Sequence, residues 1–236
     1  MLKLDLQANG ATVELIRNPT TSALMIVKNG QRCWVHVPPD AASAGPLPCL
    51  LVMHGAGKGR FWNLEEQAAS FAEQAREHKV IVVYPETRGG TWDYISTRRA
   101  ARADFDFVQM CLRTVRKAYR VDRTAVMGIS DGGSMALSLA VHNPGIFEAA
   151  ISVSAGFAEP PRTSAGASPK LFMVHGSHDP MFPLERVGEP LREKLVKLGY
   201  RVEHRVAQGQ GHAPDGWRGM FLPEWLRMGA TCNERG

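Results

Sequence analysis

The chain is poor in cysteine, with only Cys33, Cys49, Cys111 and Cys232 in 236 residues and no CxxC spacing among them. Three lie in apolar segments where a thiol packs as a small hydrophobe, so nothing here requires a disulfide framework or a cysteine-bound metal. Long hydrophobic runs are absent too, and no stretch approaches the length of a membrane span. The opening Met1-Leu2-Lys3-Leu4-Asp5 lacks the basic region and apolar run of a secretory signal. A cytoplasmic protein is therefore expected, although a secreted chain trimmed of its signal reads the same. There is no block of one charge. The formal net charge is +5, but Lys and Arg alternate with acidic residues, which disfavours nucleic-acid binding. The densest basic stretch, Arg98, Arg99 and Arg102, reads as a solvated helix start, with attraction of anionic substrates as the alternative. No internal repeat is present.

What the chain does have is 44% hydrophobic residues, enough for one sizeable core. A single domain over residues 1–236 is expected, with 1–46 as a β-rich edge and linker and 47–236 as the core that carries the chemistry. Thr12–Ile16, Ala23–Val27 and Arg32–Val37 read as strands, the last two joined at Asn29-Gly30 by a tight antiparallel turn. Beyond the Pro38–Pro46 linker, short apolar runs alternate with helical patterns. The runs are Cys49–Met53, Val80–Tyr84, Ala125–Ile129, Ala149–Val153, Leu171–Val174 and, more weakly, Val202–Val206. Phe105, Val108, Leu112, Val115 and Tyr119 share one helical face, as do Leu184, Val187, Leu191, Leu195 and Leu198. The pattern predicts an α/β fold: a mostly parallel sheet with antiparallel N-terminal strands and helices on both faces.

The segment Gly128-Ile-Ser130-Asp-Gly132-Gly133 is a G-x-S-x-G pattern between a strand and a helix. A nucleophile raised on such a turn needs glycines because the backbone is crowded and strained there. The competing reading is a glycine-rich helix start capped by Ser130. A serine hydroxyl is a weak nucleophile, so the first reading requires a histidine base and an acid that orients it. Of eight histidines, His212 lies in a loop after the last strand, which gives the chain order serine, acid, histidine. His204 alternates with Val202 and Val206 and reads as packed, and His142 reads as part of a helix end. Asp179 follows the Leu171–Val174 run, where open α/β sheets assemble their sites. Asp215 reads as the cap of the last helix. His175, His178 and Asp179 also form a possible metal cluster, but no separated third ligand is in view. For an oxyanion, one backbone donor is expected at Asp131 and a second at Ala56, in the His54-Gly55-Ala56-Gly57 loop.

These stretches, with Pro85-Glu-Thr-Arg-Gly-Gly-Thr-Trp92-Asp93, His175-Gly-Ser-His-Asp179 with Pro183, and Gly209-Gln-Gly-His212, resemble the phospholipase/carboxylesterase family of α/β-hydrolases. The likeness runs from about residue 48 to the C-terminus. It implies an α/β-hydrolase fold without a large cap domain, a triad of Ser130, Asp179 and His212, and oxyanion donors at Ala56 and Asp131. The chain departs from better-known members in placing Asp rather than Gln after the nucleophile and in its longer N-terminal strands. Trp62, Trp92, Met181 and Phe182 are candidates for an apolar acyl pocket, with core packing as the alternative for each aromatic.

The expected activity is carboxylic ester hydrolysis through an acyl-enzyme on Ser130, with a small-molecule ester as partner and neither cofactor nor metal. kcat/KM should fall below about pH 6 to 7 as the histidine base takes up a proton. A thioesterase or lysophospholipase, a polyester or feruloyl esterase, and a catalytically silent binding protein of the same fold are the alternatives. Residues 88–102 and 156–169 are candidate lids.

Overall fold

A computed structural model describes residues 2–6, 12–17, 23–57, 63–96, 102–160 and 168–230. The chain divides into two compact units, Met1–Thr124 and Ala125–Gly236.

The first unit begins with antiparallel strands, β1 (Ile16–Arg17), β2 (Leu24–Lys28) and β3 (Gln31–His36). Asn29 and Gly30 join β2 to β3 with φ of 50° and 78°, the pair of left-handed residues whose twist matches a two-residue hairpin. β1 is shorter than the sequence suggests. Among the described residues of this segment, Ile16 and Arg17 pair with β2, while upstream the Val13 amide donates to Thr114 Oγ1 at 3.3 Å. β4 (Leu47–Met53), α1 (Leu64–Ala69), α2 (Ala72–Glu77) and β5 (Ile81–Pro85) follow. Asn63 starts α1 by accepting the amides of Glu65 and Glu66 on its side chain. β5 pairs parallel with β4 and antiparallel with β3, giving the order β1-β2-β3-β5-β4. All of β5 and nearly all of β4 is buried, as unbroken apolar runs require of strands covered on both faces. α3 (Asp93–Ser96) leads to α4 (Ala103–Ala118), which buries Phe105, Val108, Leu112 and Val115. Tyr119 does not extend that face, because the backbone turns extended there.

Cys33, Cys49 and Cys111 are buried free thiols, and Cys232 lies outside the described residues. Burial pushes the Cys49 thiol up to about 12, which removes it as a nucleophile.

The strand β6 (Val121–Ile129) runs into the second unit, followed by α5 (Asp131–His142), β7 (Ala149–Val153) and β8 (Lys170–Gly176). Next come a π-helical turn (Leu184–Gly188), α6 (Glu189–Lys197), β9 (Val202–Ala207), a 3-10 turn (Trp217–Gly219) and α7 (Leu222–Ala230). The strands pair in parallel in the order β6-β7-β8-β9. Together the two units give the antiparallel start and parallel continuation expected from the sequence. α5 is buried from Gly132 to Val141 and belongs to the core rather than to an amphipathic surface. The expected stripe on α6 is only partly kept. Leu184, Leu191 and Leu195 are buried, but the π turn breaks the 3.6-residue period and Leu198 caps the helix end at 39% exposure. Asp215 does not cap the last helix: its amide is engaged by Gln210 Oε1, and Gly216 precedes the 3-10 turn. Among the described residues, no helix is long and apolar enough to cross a membrane.

One register detail positions the chemistry. Ile129 pairs with Val153, and Val153 with Val174, so Ser130, Ser154 and His175 are the next residues on three neighbouring strands.

Candidate active site

Ser130 sits between β6 and α5 with φ 57° and ψ −122°, a strained conformation for a residue with a Cβ. Its amide donates to Val153 O at 2.8 Å, which holds the turn against β7. The flanking glycines are required by space. A Cβ on Gly128 would lie 2.2 Å from Gly132 O, and one on Gly133 would lie 2.7 Å from Val153 O. The pattern therefore builds a sharp strand-to-helix turn rather than an ordinary capped helix start, since Ser130 makes no side-chain capping bond. Its side chain is nearly enclosed, at 6% exposure for the residue.

Asp179 and His212 meet in the same unit. His212 Nδ1 lies 2.8 Å from Asp179 Oδ2, and the other carboxylate oxygen accepts the amides of Met181 at 2.9 Å and Phe182 at 3.0 Å. Burial by itself would push this carboxyl up. The Phe182 amide, the His212 ring and the Met181 amide outweigh that and hold it below the ordinary carboxylate value. An ionised carboxylate only accepts, so His212 carries its proton on Nδ1 and presents the Nε2 lone pair. That Nε2 is buried and has no hydrogen-bond partner among the described residues.

The loops that carry the acid and the histidine are stitched together. Ser177 N donates to Ala207 O, His178 N to Gln210 O, and Gly209 N to Ser177 Oγ, at 3.0, 2.9 and 2.8 Å. Gly176 lets them touch, since a Cβ there would fall 2.1 Å from Gly211 O. Phe182 meets the His212 ring edge to face at 5.4 Å and packs on Gly156, while Met181 beside it is 63% exposed.

The metal reading of His175, His178 and Asp179 loses its geometry, because His178 faces solvent while the other two are buried. Among the described residues, no group of three or more His, Cys, Asp or Glu is arranged to hold a metal ion. His204 is a packed strand residue with Nδ1 3.4 Å from Glu189 Oε1. His142 is the last residue of α5. Asp131 opens α5, where backbone N–H groups point outward, and Ala56 lies in the loop after β4. In that loop Gly57 N donates to Gly90 O at 2.7 Å. Trp92 is 1% exposed, meets the His54 ring at a tilt with 5.0 Å between centroids and donates its indole N–H to His54 O, so it braces this loop rather than lining a pocket. Trp62 lies outside the described residues, as do Arg98 and Arg99, while Arg102 donates to Lys3 O.

The first part of the 156–169 segment is tied down. Ser134 Oγ accepts the amides of Gly156 and Phe157, and Ser138 Oγ accepts that of Glu159, so this end is fastened to α5. Residues 161–167 lie outside the described residues.

Sequence reasoning missed two positions. His175 touches the acid, and its only signal was its place in the histidine-rich run. Ser154 is wholly buried with φ 46° and an Oγ without a partner among the described residues, and a lone serine at a strand end carries no signal.

Residues 28–163 match the model of the esterase family, described as "Putative esterase". The chain belongs to the esterase family. This member is 30% identical over 180 residues to "Putative esterase NocK" of Nocardia uniformis subsp. tsuyamanensis, a match covering 72% of this chain and 52% of that protein. The chain spans about half the length of the curated relatives it matches. An S-formylglutathione hydrolase from Agrobacterium tumefaciens aligns at a TM-score of 0.64 and 19% identity, covering 92% of this chain and 93% of that one. The fluorophosphonate-binding serine hydrolase F of Staphylococcus aureus, FphF, aligns at 0.60 and 16% identity, covering 91% and 94%. These likenesses give this family member the α/β-hydrolase fold that its motifs suggested. Of the three residues implied for the triad, only Ser130 lies within the stretch matched to the family.

Proposed function

We propose that the protein is a cofactor-independent serine hydrolase acting on carboxylic esters of small molecules. The observation that carries this is the hydrogen bond from His212 Nδ1 to a charged, amide-held Asp179, in the unit that raises Ser130 on a strained turn. In this reading His212 Nε2 takes the proton of Ser130 as its oxygen attacks the ester carbonyl, and Asp179 steadies the imidazolium that results. An oxyanion donor is proposed at the backbone N–H of Asp131, which opens α5 in the unit that carries Ser130. The alcohol leaves with the proton from His212, and a water activated by the same nitrogen then hydrolyses the acyl-Ser130 ester. Met181 and Phe182, beside the base, are the proposed contacts for the substrate. Trp92 has no such support.

The family match crosses the boundary between the two compact units, which supports reading the chain as one catalytic domain. A cytoplasmic location is part of the proposal. A second reading, thioester hydrolysis, is favoured by the alignment with an S-formylglutathione hydrolase over nearly the whole of both chains. Steady-state kinetics on matched acyl esters and acyl thioesters of increasing chain length tests both. Turnover of esters with higher kcat/KM supports the first reading, preference for thioesters the second, and no turnover of either class defeats both.

A further inference from the structure

His175 follows β8's last core valine and is 1% exposed. Its Nε2 lies 2.6 Å from Phe182 O and 3.3 Å from Asp179 Oδ2, the carboxylate oxygen that His212 uses. A carbonyl only accepts, so Nε2 carries the proton. The contacts close a circuit. His175 fixes the Phe182 carbonyl, the Phe182 amide fixes Asp179 Oδ1, and Asp179 Oδ2 is left to face the two rings.

The far side of the ring is shaped to hold it. A Cβ on Gly188 would fall 2.7 Å from His175 Nδ1 and 3.0 Å from its Cγ. Gly188 ends the π-helical turn, a rare conformation that concentrates at functional sites. Glu189 on α6 and His204 on β9 are further titratable groups near enough to interact with this ring. Filling volume alone would call for an apolar residue; a buried imidazole is justified by the bonds it makes.

We propose that His175 is a positioning residue for the acid: wedged against Gly188, it locks the 179–182 turn so that Asp179 holds His212 in its working tautomer and orientation. This inference rests on the Ser130–Asp179–His212 reading. The role is indirect, since His175 touches the acid and not the reacting atoms.

The test compares kcat, KM and the pH profile of kcat/KM for wild type, His175→Leu, His175→Gln and Gly188→Ala on a p-nitrophenyl ester, with fluorophosphonate labelling of wild-type Ser130 alongside. His175→Leu is expected to lower kcat about 10- to 100-fold with KM nearly unchanged, as small misplacements of catalytic groups do. The acid limb should move to lower pH, because an imidazolium with a poorly held carboxylate is less stabilised. Gln, which places an N–H near the imidazole Nε2, should restore most of the rate and the limb. Gly188→Ala keeps the imidazole but displaces it, and should reproduce the Leu phenotype if His175→Leu fails to fold. Equal losses in Leu and Gln with an unmoved limb, or wild-type kcat in Leu or Gly188→Ala, overturn the proposal while leaving the triad intact. Failure of wild-type Ser130 to label removes the triad, and this proposal with it.

Discussion

Asp104 on α4 and Asp179 after β8 are both buried aspartates, and each accepts two backbone amides and one side-chain donor. Asp104 takes Arg88 N, Asp93 N and Gln31 Nε2; Asp179 takes Met181 N, Phe182 N and His212 Nδ1. Yet their carboxyls move in opposite directions. Burial pushes Asp104 up despite its amide donors, and the nearby carboxylate of Asp93 adds to the push. Asp179 is buried too, but its amides and the His212 ring hold it down. The side-chain partners differ: Gln31 stays neutral, whereas His212 can carry a positive charge. At Asp104 burial, with the Asp93 charge behind it, outweighs the donors; at Asp179 the two amides and the His212 ring, its charge adding least, outweigh burial.

The largest test of this difference is catalytic. Asp179→Asn should reduce kcat by about 10⁴-fold by allowing the wrong histidine tautomer. Asp104→Asn should leave kcat within about threefold of wild type, because the base does not depend on it; steady-state ester hydrolysis measures both.

The next effect is on stability. Asp104→Asn should cost about 1–3 kcal/mol in urea unfolding near pH 4, since the new NH2 is set against one of the backbone N–H groups that donate to the two Asp104 oxygens.

The pH dependence then sets the two aspartates against each other. Asp104 has a raised carboxyl, so its contribution is complete below the ordinary carboxylate range and is lost as pH rises through the raised value. The penalty of Asp104→Asn should therefore shrink as pH climbs above about 4. For Asp179 the carboxyl is lowered, so its contribution is complete above that range and is lost as pH falls through the lowered value. The penalty of Asp179→Asn should grow as pH rises from about 2 to about 5. Urea midpoints across this span, taken with each variant's own slope, decide the signs.

Smallest is the effect of Asp93→Asn. Removing its charge should bring the Asp104 carboxyl part of the way back toward its ordinary value, read from its NMR titration. No movement would mean that burial acts alone.

Much of this was legible in the sequence where chemistry and local spacing coincide. Asn29-Gly30 specified its hairpin through backbone twist, and Ala149–Val153 specified a strand to the residue because it is apolar at every position but Ser152. The expectation of Ser130 on a strand-to-helix turn and of Asp179 near His212 came from chain order, and the geometry now supports their proposed roles. What stayed hidden depends on shape. The π turn before α6 leaves no periodic mark except a broken stripe, and it misled the reading of Leu198. Asp104 carried no signal in the sequence, because its partners lie 11 to 73 residues away. His175 was visible only as one member of a cluster, since its contact with Phe182 O depends on how the 179–183 turn folds back.

The most direct measurement is intact mass and peptide mapping after exposure to a fluorophosphonate. The account predicts one adduct on wild-type protein, mapped to Ser130, and none on Ser130→Ala under the same conditions. Labelling that persists in Ser130→Ala, or maps to another residue in wild type, would contradict it.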